Sequence, residues 1–174
     1  RLPVEGEHLS EYLFVRKGLM QGEGLMLPTT FFLPRELVEN MPFKDGRYED
    51  WAFILDLAQT ADFGVEYLHD ALAVWHSDGG RARASHASGW LESMAWGRRY
   101  RSVMSGYAYA GFVASVVASS GAREAPCQSF PVVLRELMSA EKWRFRDVIV
   151  MLIQFAIPPA LRLKLRHLLQ PAIR

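Results

Sequence analysis

Residues 48–60 read YEDWAFILDLAQT, and this stretch decides how the first half of the chain is interpreted. Its apolar side chains recur at the three- and four-residue spacing of an α-helix. They are Trp51, Phe53, Ile54, Leu55, Leu57 and Ala58. The spacing predicts a largely buried helix over residues 49–60. Its first turn carries Glu49 and Asp50, where the helix dipole favours negative charge.

The residues before this helix predict a mixture of helix and strand. Residues 25–33 (LMLPTTFFL) are apolar and rich in Thr and Phe, which indicates a buried strand, although Pro28 cannot donate to a ladder. Pro34 suits the first position of a short helix over 34–40. Further upstream, residues 9–19 have the spacing of a helix that begins near Ser10.

The residues after the helix at 49–60 divide the chain into a part with mixed helix and strand and a part that is helical. Two short strands are expected at 63–68 and 71–76, followed by a polar, glycine-bearing loop over 77–88. The later helical stretches are 90–103, 107–119, 130–140 and 145–169. The sequence thus predicts an α/β fragment with a few strands over 1–85 and a helical region over 86–174, with helix dominating.

Composition excludes several classes of protein. With 20 Lys and Arg against 19 Asp and Glu, the net charge is +1, and we expect no nucleic-acid partner because phosphate binding usually leaves a basic excess. Cys127 is the only cysteine, which favours a reducing compartment. No apolar run reaches the roughly 20 residues that span a bilayer. The N-terminus lacks Met and a signal core, so we expect a cut inside a longer protein.

The order of short motifs along residues 8–115 resembles the C-terminal, acceptor-side half of family-2 glycosyltransferases of the GT-A (Rossmann-like) fold. The matching pieces are 11–16 (EYLFVR), 27–30 (LPTT), 34–37 (PREL), 49–51 (EDW) and 75–78 (WHSD), with Ser85 after them. Each piece alone is weak, and their order and spacing carry the resemblance. It implies a bacterial enzyme of glycan or polysaccharide biosynthesis that transfers sugar from a nucleotide-sugar donor with inversion.

The resemblance assigns the catalytic role to Asp50. An inverting transfer needs a base within hydrogen-bond reach of the acceptor hydroxyl, and Asp50 matches the family's acidic motif. Glu49 would shape the acceptor pocket, and Trp51 would stack on a sugar or anchor the helix. The alternative is that two acids open a helix only because acids favour that position.

Other site residues follow from the same resemblance. His76 would bind Mg or Mn, or would simply be bonded to its own loop. Arg81 and Arg83 would neutralise the leaving diphosphate, although arginines are common in exposed loops. Thr29 and Thr30 would contact donor or acceptor, or lie inside a strand.

One departure from the family pattern concerns the donor. No D-x-D motif occurs in the chain, and no strand-rich segment precedes Leu9. We therefore expect the nucleotide-binding half to be missing, the fragment to be inactive alone, and Mg or Mn to act in the full-length parent. The partners expected there are a nucleotide-sugar donor and a glycan or lipid-linked acceptor.

The C-terminal residues raise a second question. Residues 148–157 are apolar nearly all round, and Pro158 and Pro159 then force a break. Residues 161–169 form a basic amphipathic pattern, which suggests contact with a membrane surface and a cytoplasmic protein that is peripheral at the inner membrane. The alternatives are packing within the protein or self-association. A non-catalytic helical interaction module, or a membrane-peripheral module, is the rival to the enzyme.

Overall fold

The computed structural model describes residues 3–18, 24, 26–44, 46–60, 64–68, 89–158 and 161–162. Eight α-helices form in these ranges, and in chain order they are α1 Leu9–Phe14, α2 Arg35–Asn40, α3 Glu49–Leu57, α4 Trp90–Arg99, α5 Gly106–Phe112, α6 Ala118–Glu124, α7 Pro126–Met138 and α8 Phe145–Ala156. Short 3-10 turns occupy Pro28–Thr30 and Arg101–Val103. The contacts divide the chain into a helical unit, residues 1–24 with 89–174, and a second unit, residues 25–88.

The helical unit contains a continuous helical path from α5 to α6. A π-helical stretch, Val113–Val117, joins the two α-helices, and the backbone stays in the right-handed helical region at both junctions. This stretch packs on α4, α7 and α8, so it lies at the centre of the unit. Its side chains are nearly all buried because every neighbouring helix covers one side of it.

An aromatic cluster and a glycine hold α1 against this centre. Phe14 makes edge-on contacts with Trp96 at 6.5 Å and Phe112 at 5.3 Å, measured between ring centroids. A Cβ atom at Gly111 would overlap the backbone carbonyl oxygen of Phe14, so only glycine permits this approach of α5 to α1. The N-terminal helix therefore packs on backbone as well as on side chains.

The unit formed by residues 25–88 is built around α3. Phe53 stacks on Phe43 at 4.1 Å and on Phe31 at 6.4 Å, again between ring centroids. Lys44 Nζ lies 2.6 Å from Asp56 Oδ2, which ties the segment before α3 to its last turn. These contacts hold the middle and the last turn of the helix.

The expected α/β fragment, and with it the placement in a GT-A fold, is wrong for the part of the chain that the structure describes. None of those residues forms a β-strand. At the strand expected over 25–33, the Thr30 N–H and hydroxyl both donate to the Leu27 carbonyl, at 2.8 and 2.7 Å. Pro28 starts this 3-10 turn because it fixes φ and lacks a ladder donor.

The other predicted elements have mixed outcomes. Residues 64–68, expected as a strand, have no regular structure, and the strand expected at 71–76 lies outside the described residues. The helices expected at 34–40 and 49–60 are confirmed as α2 and α3. The helix expected over 145–169 ends at Ala156, shortly before Pro158. Among the described helices, none has both the length and the apolar character needed to cross a bilayer.

Candidate functional site

The carboxylate of Asp50 continues the buried face of α3. Positions 50, 53, 54 and 57 share one side of a helix because they are separated by three or four residues. Phe53, Ile54 and Leu57 on this side are buried, whereas the adjacent Glu49 is exposed. Asp50 is accordingly half-buried at the end of an apolar stripe, and the fold restricts where its side chain can go.

Burial changes the acidity of this group. Loss of hydration raises the pKa of Asp50 above its ordinary value, and the negative charge of Glu49 raises it further. The Trp51 backbone N–H donates to Asp50 Oδ1 at 2.8 Å and lowers the pKa, but burial is the larger effect. Within the described residues, no cation forms a salt bridge with Asp50. The carboxylate is thus more basic than an exposed one.

A strained residue sets the start of this helix. Tyr48 precedes α3 with φ 57° and ψ 36°, the left-handed region, and among the described residues it is the only non-glycine with positive φ. Such a conformation is uncommon for a bulky side chain and costs about 1–3 kcal/mol. Backbone strain of this kind often accompanies a functional position. Here the left-handed backbone places the aromatic ring of Tyr48 beside the first turn of α3, which carries the two acids.

The ring of Tyr48 forms a flat aromatic platform with Trp51. Their centroids lie 4.7 Å apart with an interplanar angle of 14°, and the Arg47 guanidinium lies 4.6 Å from the Tyr48 centroid. Both aromatic side chains are partly exposed. Trp51 therefore stacks on a neighbouring tyrosine. Nothing in the sequence marked Tyr48 as a site residue, because glycine is the only residue type that regularly adopts a left-handed backbone.

The remaining predicted site residues fall into two groups. Thr29 and Thr30 are exposed on the 3-10 turn, so neither occupies a strand interior. His76, Arg81 and Arg83 lie outside the described residues. The predicted metal ligation by His76 stays a prediction, and no group of three or more His, Cys, Asp or Glu side chains suited to a metal forms among the residues that are described.

The helical unit contains a partly buried ionic network that the sequence did not reveal. Glu136 on α7 accepts hydrogen bonds from the Arg98 guanidinium on α4, through Nε at 3.1 Å and through Nη2, and from the Tyr109 hydroxyl on α5. Hydrogen bonding by Arg98 is the main cause that lowers the pKa of Glu136, and it outweighs burial. Burial and the Glu136 bond raise the pKa of Tyr109. Glu136 is thus bonded to both partners, which indicates an architectural role.

A cavity of about 310 Å³ also lies in the helical unit. Its lining residues are Val4, Glu5, Gly6, Glu7, Glu11, Val15, Lys17 and Arg144. Apart from Glu5, its charged groups have partners within the unit: Glu7 pairs with Lys17 at 3.9 Å, and Glu11 accepts from the Ser105 hydroxyl at 2.7 Å. Arg144 stacks on the ring of Tyr107 at 4.1 Å. The cavity contains none of the predicted site residues.

No protein-family model, no curated protein and no solved structure matches this chain.

Proposed function

We propose that this chain is the acceptor-side portion of a family-2 glycosyltransferase, and that Asp50 is its general base. The observation that supports this function is the half-buried Asp50 carboxylate, whose pKa is raised by burial and which has no salt-bridge partner among the described residues. A half-buried carboxylate that has a raised pKa and no salt bridge is suited to accept a proton.

In the proposed reaction, Asp50 takes the proton of an acceptor hydroxyl as its oxygen attacks the anomeric carbon of the donor. A new C–O bond forms on one face of the sugar while the bond to the diphosphate breaks on the other, and the nucleoside diphosphate leaves with the electron pair. The configuration at the anomeric carbon is therefore inverted. Mg or Mn in the full-length parent would neutralise the diphosphate, and Arg81 and Arg83 would assist it.

The residues around Asp50 have proposed roles in binding. Glu49 is exposed and lies next to the base, where its carboxylate would accept hydrogen bonds from acceptor hydroxyls. The partly exposed Tyr48–Trp51 platform would place an apolar aromatic surface against a sugar ring. Thr29 and Thr30, which are exposed, would contact donor or acceptor from the 3-10 turn.

The direct test is turnover of the full-length parent carrying Asp50→Asn. We expect turnover to fall by about 10²- to 10⁴-fold, because a general base contributes that much, while donor binding persists. Glu36→Gln is the matched control, since Glu36 is also an acid in the first turn of a helix in the same unit but is exposed. Its turnover should stay within about twofold of wild type.

Equal turnover in the Asp50→Asn and Glu36→Gln variants would contradict the proposed base. Calorimetry on the present chain adds an independent test of the missing donor half. We expect weak or no binding of a nucleotide sugar with Mn, and tight binding would show that donor recognition resides in these residues.

A second candidate is a non-catalytic helical interaction module. The observation that favours it is the extent of the helical unit, which has its own aromatic core and its own partly buried ionic network. The residues upstream in the parent separate the two candidates. A D-x-D motif on a strand some tens of residues before Arg1 supports the enzyme, and an unrelated upstream domain supports the module.

We further propose a cytoplasmic location, peripheral at the inner face of the membrane, with a glycan or lipid-linked acceptor. Fractionation of cells into soluble, salt-released and detergent-released membrane protein tests this. Recovery only in the detergent-released fraction would contradict a peripheral association.

A further inference from the structure

Helix α8 buries two polar side chains and exposes several apolar ones. Its inner face consists of Asp147, Val150, Met151 and Gln154, all buried. On the outside, Phe145 is 74% exposed and Leu152 is 45% exposed. From Val148 to Ala156 the helix carries no charged residue. Solvation alone would favour the reverse arrangement, because exposing Phe and Leu while burying Gln is unfavourable in water.

The exposed apolar residues form a stripe along the helix. Positions 145, 148, 149, 152 and 156 fall within about one-third of the helix circumference because they repeat at three- and four-residue intervals. Val148 and Ile149 are partly exposed between Phe145 and Leu152. Trp143, just before the helix, is 42% exposed and extends the apolar surface with an amphipathic ring.

Basic residues accompany this stripe. Residues 89–174 contain 12 Lys and Arg against 5 Asp and Glu. Lys142 is exposed beside Trp143, and the partly exposed Arg144 and Arg146 flank Phe145 at the start of α8. Arg144 also stacks on the ring of Tyr107, and Arg146 Nη1 donates to the Lys17 carbonyl oxygen at 2.6 Å. Asp147, the acid in that first turn, is buried and accepts the Arg144 backbone N–H at 2.8 Å, so it adds little negative charge to the surface.

Beyond the other end of α8, Arg162 is subject to the charges of two other arginines. It is half-buried, and its Nε has no hydrogen-bond partner among the described residues. Burial lowers its pKa, and the charges of Arg123 and Arg16 lower it further. Arg123 is held on the last turn of α6 by bonds to the Ser119 and Ser120 hydroxyls, at 2.9 and 3.2 Å. Guanidinium groups gathered in this way are stabilised by an anion.

We propose that the apolar stripe of α8, defined by Phe145, Val148, Ile149, Leu152 and Ala156 together with Trp143, docks on an anionic lipid surface. Aliphatic and aromatic side chains enter the boundary between headgroups and acyl chains, and the flanking Lys and Arg side chains contact the headgroup phosphates. A nucleic acid would satisfy the cations but not the uncharged stripe. A protein partner would satisfy the stripe without needing the basic excess. This inference rests on the peripheral membrane location proposed above, and it does not depend on the proposed catalytic role of Asp50.

The experiment is flotation of the full chain with vesicles of phosphatidylcholine alone and of phosphatidylcholine mixed with phosphatidylglycerol. We expect recovery with the anionic vesicles and little recovery with the neutral ones. Leu152→Glu should weaken the binding by about tenfold, because it removes one buried apolar side chain from the lipid. Leu91→Glu is the matched control, since Leu91 on α4 is 64% exposed but lies outside the stripe, and its binding should equal wild type.

The contribution of the basic residues to vesicle binding is tested separately. Arg162→Gln and Arg123→Gln should each reduce binding to anionic vesicles by about fivefold, because each basic residue near such a surface contributes about that factor. Circular dichroism establishes that each variant is folded. Phe145→Ser, at the most exposed position of the stripe, replaces Leu152→Glu if that variant does not fold.

Four results would overturn the proposal. They are failure of wild type to float with anionic vesicles, equal flotation of the wild-type and stripe variants, equal loss in the Leu91→Glu control, and a lipid-free dimer that Leu152→Glu dissociates. The last result would identify a second copy of the chain as the occupant. Tight binding of single-stranded nucleic acid that survives Leu152→Glu, without flotation, would identify nucleic acid instead.

Discussion

The two units of this chain differ in charge and in how their cores are built. Residues 1–24 and 89–174 contain 15 Lys and Arg against 9 Asp and Glu, whereas residues 25–88 contain 5 against 10. The near-neutral total conceals this separation. The basic unit is built from long helices whose backbones approach closely, and the acidic unit carries Asp50 and the strained Tyr48. The comparison shows that net charge over a whole chain is a poor guide to its surfaces, because opposite excesses cancel.

The largest expected effect tests the close packing of the helical unit. Gly111→Ala should lower the free energy of unfolding by about 2 kcal/mol, because overpacking against backbone costs about 3 kcal/mol and better helix propensity returns about 1 kcal/mol. The added Cβ would overlap the Phe14 carbonyl oxygen and lie 3.0 Å from its carbonyl carbon. Urea unfolding followed by circular dichroism measures the change.

Gly64→Ala is the counterpart in the other unit. A Cβ there meets no atom within 4 Å, so we expect no loss of stability. Equal destabilisation by the two substitutions would remove the distinction between a closely packed helical unit and a more open second unit.

The next effect concerns the ionic network of the helical unit. Glu136→Ala should cost about 1.5 kcal/mol, because it leaves the buried Tyr109 hydroxyl without an acceptor. Arg98 adds little to this loss, since its side chain is 58% exposed and stays hydrated. Glu136→Gln retains an acceptor for Tyr109 and should cost less.

The same network makes the free energy of unfolding depend on pH in the acidic range. Because the pKa of Glu136 is lowered in the fold, its ionised form stabilises the protein at pH values above its ordinary 4.5, and that stabilisation is lost as the pH falls through the lowered value. The difference in unfolding free energy between wild type and Glu136→Gln should therefore shrink below pH 4.5. A difference that is constant across this range would mean that the charge of Glu136 contributes nothing.

The smallest effect has the opposite sign and belongs to the acidic unit. The pKa of Asp50 is raised in the fold, so its ionised form is less stable there than in the unfolded chain. Asp50→Asn should raise the melting temperature slightly at neutral pH, and the gain should disappear as the pH falls towards the ordinary 3.8 of the carboxyl. Thermal unfolding at several pH values measures this, and a lower melting temperature at neutral pH would assign Asp50 a structural role.

Only part of the candidate site could be predicted from the sequence. The acidic first turn of α3 followed from residue spacing and from the preference of acids for helix starts. The burial of Asp50 depends on side chains that cover the α3 stripe, and the stack of Tyr48 on Trp51 depends on a left-handed backbone. Neither the burial of Asp50 nor the stacking of Tyr48 can be predicted from the types of the neighbouring residues alone.

Sequence by itself determined the positions of α2 and α3, the helical character of residues 90–156, and the end of α8 before Pro158, because these depend on hydrogen bonds and proline constraints within a few residues. Tertiary structure alone decided that Glu136 meets Arg98, 38 positions away, and that α8 exposes its apolar face. The apolar run at 25–33 satisfied the pattern of a strand. A strand also needs a partner to accept its backbone hydrogen bonds, and the local bonds at Pro28–Thr30 formed instead.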